Sequence, residues 1–168
     1  YVGSGGQANQ MVISNGAAVD SVQGYVGSAT SGRNNFALVT GANSLWTNSS
    51  DFYVGLFTSG NSLVISNGGK VSNHDGFVAR NSSSSSNSVI ITGAGSVWSN
   101  SAYMYDGCLG PDNTLLISNG GKLLADQSLI GYDSDNNQAV VTGAGSVLSN
   151  ITATIAGNYA PYKTLVIS

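Results

Sequence analysis

The chain contains few side chains that could perform acid–base chemistry: eight Asp, no Glu and a single His among 168 residues. His74 and Asp75 are adjacent, and Asp106 lies further along the chain. Enzymatic cleavage of polysaccharides needs two or more such groups converging on one face of a protein. The spacing from Asp75 to Asp106 does not match the repeat length described below, so we expect these three residues to be solvated loop residues. Serines are too frequent for a Ser-His-Asp triad to be recognised, and the sequence predicts no catalytic residue.

One segment has the beginning of a metal-binding pattern. Residues 133–137, DSDNN, place side-chain oxygens at alternate positions, as a calcium loop does, but the glycine at the sixth position and the later Glu are missing. Cys108 is the only cysteine, so no intrachain disulfide can form, and we interpret it as a structural residue. We therefore predict no metal ligand and no cofactor.

Aromatic residues suggest a different chemistry, the stacking of sugar rings. One column of the repeat described below contains Tyr1, Tyr25, Tyr53, Phe77 and Tyr105. If this column faces outward it could form a carbohydrate-binding platform, and if it faces inward it is part of the core, which we favour. Trp46 and Trp98 lie two repeats apart with Ser72 between them, so we expect them to fill corners without stacking on each other.

These candidate residues lie within a repeating pattern. Residues 61–71, NSLVISNGGKV, have near-copies at residues 9–19 and 113–123. A second version of the motif begins at Phe36, Ser88 and Ala139. Aligning the hydroxyl residue after each aliphatic triplet gives a column with five steps of 26 and one of 24, through Ser14, Thr40, Ser66, Thr92, Ser118, Thr142 and Ser168. A fixed period of this length is typical of a solenoid.

Each 26-residue unit contains three candidate strands separated by turns: the triplet, a second strand around Val71 or Val97, and a Tyr-Val-Gly segment. We predict an all-β fold, a parallel β-helix with roughly six and a half coils. Residues 1–168 would be a single repeat domain with double repeats near 9–60, 61–112 and 113–162. A kelch-like propeller, with a repeat of roughly 50 residues, fits poorly because its antiparallel strands have no reason to show a half-period.

The spellings LVISNGGKV and VIITGAGSVW, alternating with YVG, resemble the repeats of bacterial autotransporter passenger domains and of PEP-CTERM-associated surface proteins. The resemblance covers nearly the whole chain. It implies a right-handed parallel β-helix that is exported to the cell surface or beyond, where it serves as an adhesin, a stalk or a spacer. It implies no catalytic residues.

Composition limits the possible partners. Only 8% of the residues are charged, the net charge is -3 and the pI is about 4.5. Nucleic-acid binding requires a basic surface to neutralise phosphates, so we predict no nucleic-acid partner. The longest apolar runs have three to five residues, too few to cross a bilayer, and we predict no direct membrane insertion.

The middle residue of each triplet is the one candidate binding feature. Side chains alternate along a strand, so if Leu63 and Ile65 point inward, Val64 points outward. The equivalent residues are all aliphatic and form what we call the aliphatic stripe: Val12, Leu38, Val64, Ile90, Leu116, Val140 and Val166. Exposed apolar patches of this kind mark interaction surfaces. We expect the stripe to pack against another copy or segment, or to be covered by loops of the same chain.

The most consistent functional expectation is a structural or adhesive module of an extracellular or cell-surface bacterial protein. The alternative is a carbohydrate-active β-helix enzyme, which should have at least three ionisable groups clustered on one sheet. The residues at both termini still match the repeat motif, so we also expect the solenoid to continue past them, within a longer polypeptide or through end-to-end stacking. Surface carbohydrate and a host or neighbouring cell are further expected partners.

Overall fold

A computed structural model describes residues 1–168, in which β-strands connected by turns are the regular secondary structure and no helix is present. The first strands of successive coils are β1 (Gln10–Ile13), β4 (Phe36–Thr40), β7 (Ser62–Ser66), β10 (Ser88–Thr92), β13 (Thr114–Ser118), β15 (Gln138–Thr142) and β17 (Thr164–Ile167). The second strands are β2 (Ala18–Ser21), β5 (Leu45–Asn48), β8 (Lys70–Asn73) and β11 (Val97–Asn100). The third strands are β3 (Gly24–Val26), β6 (Phe52–Val54), β9 (Gly76–Val78) and β12 (Tyr103–Asp106). In the last coils, second and third strands are continuous as β14 (Lys122–Ile130) and β16 (Val147–Ala156).

All strand pairs are parallel and join equivalent residues of adjacent coils. Ile65 pairs with Val39 in the preceding coil and with Ile91 in the following coil. The first strands form a seven-stranded sheet, and the second and third strands form a ten-stranded sheet. The predicted β-solenoid is therefore confirmed, and the antiparallel propeller is excluded. The hydroxyl column is also confirmed where the strands define it, from Thr40 through to Thr142.

The corner between the second and third strands differs along the solenoid. In the first four coils the chain turns here and the two strands are separate. In the fifth coil β14 continues through this corner as one strand. The pairing of β14 with β16 shifts register between Ala125 and Gln127, so the bend is accommodated as a local irregularity. The prediction of three short strands per coil is thus correct for the first four coils.

The hydrophobic core contains alternating bulky and small coils. Trp46 and Phe52 pack edge to face, with ring centroids 4.7 Å apart, and Phe52 also contacts Trp98 at 6.0 Å. The pairing register places Val71 between the two tryptophans, not Ser72 as the sequence suggested. A Cβ atom on Gly76 would overlap Trp98, so the coil between the tryptophans must be small at this position. This alternation explains why the sequence repeats more closely every two coils than every coil.

A column of amides fills the corner before each first strand from β1 to β15, and all of them except the first are buried. This set, which we call the asparagine column, consists of Asn9, Asn35, Asn61, Asn87, Asn113 and Asn137. Oδ1 of Asn61 accepts hydrogen bonds from the backbone N–H of Asn35 at 3.0 Å and from Nδ2 of Asn35 at 3.1 Å. Nδ2 of Asn61 in turn donates to Oδ1 of Asn87 at 2.9 Å. These bonds satisfy backbone groups that the turn would otherwise leave unpaired inside the protein.

Candidate functional site

The aliphatic stripe lies on the outer face of the seven-stranded sheet, as the side-chain alternation predicts. In β7, Leu63 and Ile65 are fully buried, whereas Val64 between them is half-buried. The central members of the stripe are all half-buried, and the first and last, Val12 and Val166, are 51% and 39% exposed. Loops of the same chain therefore leave the stripe partly accessible.

Hydroxyl groups flank the stripe on the same face. Ser66 Oγ donates to Thr40 Oγ1 at 2.9 Å, and Ser118 Oγ donates to Thr92 Oγ1 at 2.9 Å. The hydroxyl column is thus tied together in pairs of adjacent coils. The resulting surface is apolar along its centre, hydroxylated along one side and without formal charge on these side chains.

The aromatic column is stacked as predicted but lies outside the coil. Val54 belongs to the hydrophobic core, and Tyr53, the preceding residue of the strand, points to the opposite face. The centroid of the Tyr53 ring lies 5.1 Å from those of Tyr25 and Phe77, with interplanar angles of 13° and 8°. The prediction that this column is part of the interior was therefore wrong. Mutual stacking, and not inward orientation, explains why Tyr25 and Phe77 are buried.

The stacking geometry also limits what the aromatic column can bind. A pyranose ring stacks on the flat face of an aromatic side chain, but the inner rings of this column already stack face to face with each other. At the far end, Tyr132 packs edge to face against Tyr105 with centroids 5.9 Å apart. The column consequently presents ring edges and hydroxyl groups to solvent. It does not form the flat sugar platform considered from the sequence.

Three ionisable side chains converge beside the aromatic column. Asp51 precedes β6, and His74 and Asp75 precede β9 in the next coil. One carboxylate oxygen of each Asp and one imidazole nitrogen of His74 all lie within 4.8 Å of one another. The sequence identified His74 and Asp75 as solvated loop residues but missed Asp51. The signal was available: Asp51 and Asp75 each stand two positions before the aromatic member of the third strand.

Neighbouring groups hold both carboxylates in place. The hydroxyl of Tyr53 donates to Asp51 Oδ2 at 2.9 Å, and the backbone N–H of Tyr103 donates to Asp75 Oδ1 at 2.8 Å. The pKa of the Tyr53 hydroxyl is raised, mainly by burial and to a smaller extent by its hydrogen bond to the Asp51 carboxylate. Tyr53 therefore remains a proton donor to Asp51 at neutral pH.

Asp106 does not share this face. It pairs in register with Val78 and Ile130 in a column whose other members are apolar and inward-pointing. Its side chain is buried, neither carboxylate oxygen has a hydrogen-bond partner, and burial raises its pKa to about 8. The interpretation of Asp106 as a solvated loop residue was wrong, although its position in the Tyr-Val-Gly column could have indicated an interior site.

The remaining sequence candidates are structural in this fold. Cys108 is buried, 3.7 Å from Nη1 of Arg80, and burial raises the pKa of its thiol. In the 133–137 segment, Ser134 donates to the carbonyl of Gly107 at 2.7 Å and Asn137 belongs to the asparagine column. Because these two side chains turn inward, the segment does not arrange its oxygens around a common centre.

The chain contains no helix long and apolar enough to cross a membrane. Comparisons with protein-family models, with curated proteins and with solved structures gave no match for this chain.

Proposed function

We propose that this chain is a structural or adhesive module of a bacterial extracellular or cell-surface protein, such as a stalk, an adhesin passenger or a filament subunit, and that it performs no catalysis. The aliphatic stripe is the observation that carries this proposal. It is continuous through seven coils and partly accessible. A rigid face that repeats one chemical group at each coil is suited to extended contacts, not to the binding of one small substrate.

The partner that best fits the stripe is another copy of the same solenoid or a further part of the same polypeptide. Two such faces would not repel each other, because the side chains of the stripe and of the hydroxyl column are uncharged. The hydroxyl column beside the stripe can exchange hydrogen bonds with its counterpart. The motif resemblance to autotransporter passengers and PEP-CTERM-associated proteins supports an extracellular location. Surface carbohydrate on a host or neighbouring cell is a second class of partner consistent with that location.

Analytical ultracentrifugation tests this proposal. We expect the chain to form larger species as its concentration rises, and a Leu38→Ser, Val64→Ser, Ile90→Ser variant to remain monomeric. A matched control replaces exposed aliphatic residues outside the stripe, Val22, Leu124 and Ile151, with Ser and should associate as the parent does. A parent chain that stays monomeric at all concentrations would contradict lateral association through the stripe.

The cluster of Asp51, His74 and Asp75 favours a second candidate, a carbohydrate-active β-helix enzyme. These three ionisable groups cluster at the corner beside the ten-stranded sheet, close to the arrangement on one sheet that is expected of such an enzyme. Incubation with acidic and neutral polysaccharides, followed by assays for new reducing ends and for unsaturated products, tests this candidate. Activity that disappears in Asp75→Asn but persists in Asp126→Asn would replace the structural proposal.

A further inference from the structure

The most unusual polar arrangement on the surface of the solenoid is the pair of aspartates at the corner before the third strand. Phe52 pairs with Gly76, so the residues preceding them, Asp51 and Asp75, occupy equivalent positions in adjacent coils. Strands in a sheet are about 4.8 Å apart, and like charges placed directly opposite each other destabilise a sheet. A cation between the two carboxylates would relieve this repulsion.

No basic residue of the chain fills that role. The only contact at salt-bridge distance in the structure is that of His74 Nδ1 with Asp75 Oδ1 at 3.4 Å, and no Lys or Arg pairs with either aspartate. Arg80, on the same side of the third strands, lies over the Phe77 ring and directs Nη1 to Cys108. The two carboxylates and the imidazole therefore remain available to a ligand.

We propose that Asp51, His74 and Asp75 form a binding site for a divalent transition-metal cation, with zinc as the representative ion. Two carboxylates and one imidazole are the donors that zinc accepts, and three protein ligands with one open position are typical of zinc sites that also hold water. Calcium is disfavoured because it takes only oxygen ligands, six to eight of them. This site is independent of the proposed structural function.

The donor atoms need to move only slightly to bind the ion. Bonds of about 2.0–2.2 Å place the ligands of a tetrahedral zinc roughly 3.3 Å apart, compared with the limit of 4.8 Å observed here. The aspartates are fixed by strand register, whereas the side chain of His74 is 58% exposed and can rotate toward them. Movement of one accessible side chain is therefore sufficient.

The hydrogen bonds to the aspartates would support such a site. Tyr53 and the Tyr103 backbone each bond one carboxylate oxygen, which fixes the orientation of the carboxylate. Groups that orient metal ligands in this way affect affinity by roughly 10- to 100-fold. The structure thus assigns Tyr53 a positioning role as well as a place in the aromatic column.

Isothermal titration calorimetry of the untagged 168-residue chain with Zn²⁺ tests the proposal. We expect one ion per chain, with binding abolished in Asp51→Asn, Asp75→Asn and His74→Gln, and weakened about tenfold in Tyr53→Phe. Co²⁺ substituted for Zn²⁺ should give the visible absorption of a tetrahedral complex. Circular dichroism and thermal unfolding of each variant without metal establish that the solenoid is intact.

The matched control is Asp126→Asn. Asp126 lies at the same corner two coils further along, where Ala102 and Gln127 provide no metal-binding group, so this variant should bind Zn²⁺ as the parent does. The proposal is overturned if the parent chain binds no Zn²⁺, if the control loses binding as the site variants do, or if Ca²⁺ binds more tightly than Zn²⁺.

Discussion

The asparagine column from Asn35 onward is polar and buried, and so is Asp106. Both lie in register with equivalent positions in adjoining coils, but their surroundings are opposite. Each inner asparagine of the column bonds to its neighbours along the axis; Asn61, for example, accepts from Asn35 and donates to Asn87. Asp106 stands alone between Val78 and Ile130, and its two carboxylate oxygens have no partner.

The difference follows from the chemistry of the two side chains. A carboxamide carries both a donor and an acceptor, so a column of identical amides can satisfy itself coil after coil. A single carboxyl group among aliphatic side chains has neither a donor nor an acceptor beside it, and burial keeps it protonated at neutral pH by raising its pKa to about 8. The amide column therefore satisfies its own polar groups from coil to coil, whereas Asp106 is a buried polar group without partners and destabilises the fold.

Interrupting the asparagine column should have the largest effect. Asn61→Ala removes the acceptor of the buried Asn35 N–H and the donor to Thr58 and Ser59 carbonyls. We expect the free energy of unfolding to fall by about 4 kcal/mol, from the lost bonds and the unpaired amide. Urea denaturation measures this change, with the exposed Asn158→Ala as a control that should lie near the parent chain. A loss similar to that of the control would show that the column does not stabilise the stacking of coils.

Replacing Asp106 should raise the free energy of unfolding, the opposite of the effect expected at Asn61. Asp106→Val restores the apolar side chain found at the equivalent Val78, and we expect it to raise the free energy of unfolding by about 3 kcal/mol at neutral pH. Asp106→Asn avoids ionisation but leaves a buried amide unpaired, so it should stabilise less than Val. Destabilisation by Val would contradict the view that Asp106 lacks compensating interactions.

The same carboxyl should make stability depend on pH. The pKa of Asp106 rises from 3.8 to about 8 on folding, so between these values the unfolded chain has released a proton that the folded chain retains. The free energy of unfolding that depends on Asp106 is highest below pH 3.8 and falls as pH rises toward 8. The slope is up to about 1.4 kcal/mol per pH unit. Denaturation curves across this range should show the slope in the parent chain. A comparable slope in Asp106→Val would assign it to another group.

The smallest effect should come from the hydroxyl column, a repeated polar column on the outer face in which Ser66 and Thr40 are only half-buried. Ser66→Ala breaks the hydrogen bond from Ser66 to Thr40 on the outer face, where water replaces the lost partner. We expect a loss of about 0.5 kcal/mol, measured by the same denaturation experiment. A loss as large as that of Asn61→Ala would mean that repetition matters more than burial.

The architecture could be predicted well because the alternation of hydrophobic residues and the repeat period are both recognisable in the amino-acid sequence. Register, coil length and inward orientation of Leu63 and Ile65 follow directly from the constant step between repeats. The continuous strand β14 was missed because its corner residues, Asp126 and Gln127, carry no signal that separates them from the polar corner residues of other coils. Alternation in the third strand would have placed Tyr53 outside, had Val54 been taken as the inward residue.

The candidate site was less predictable. The separation of Asp51 from Asp75 is shorter than the repeat period, because the turn before the third strand differs in length between alternate coils. Aligning each Asp on the aromatic residue two positions later would have shown that the two are equivalent, whereas the 26-residue period conceals it. The burial of Asp106 likewise follows from the column of inward-pointing residues that it occupies. Considered only as an aspartate, it suggested a solvated loop.

The alternation of large and small coils in the core sets the unit in which this solenoid can be lengthened or shortened. Deletion of one coil between Trp46 and Trp98 would bring two bulky coils together and remove the space that Gly76 provides. Deletion or duplication of a two-coil unit leaves each large side chain beside a small one. Within the first four coils, duplication or deletion is therefore compatible with the packing only in pairs of coils, and variants that differ there by two coils should fold where those that differ by one do not.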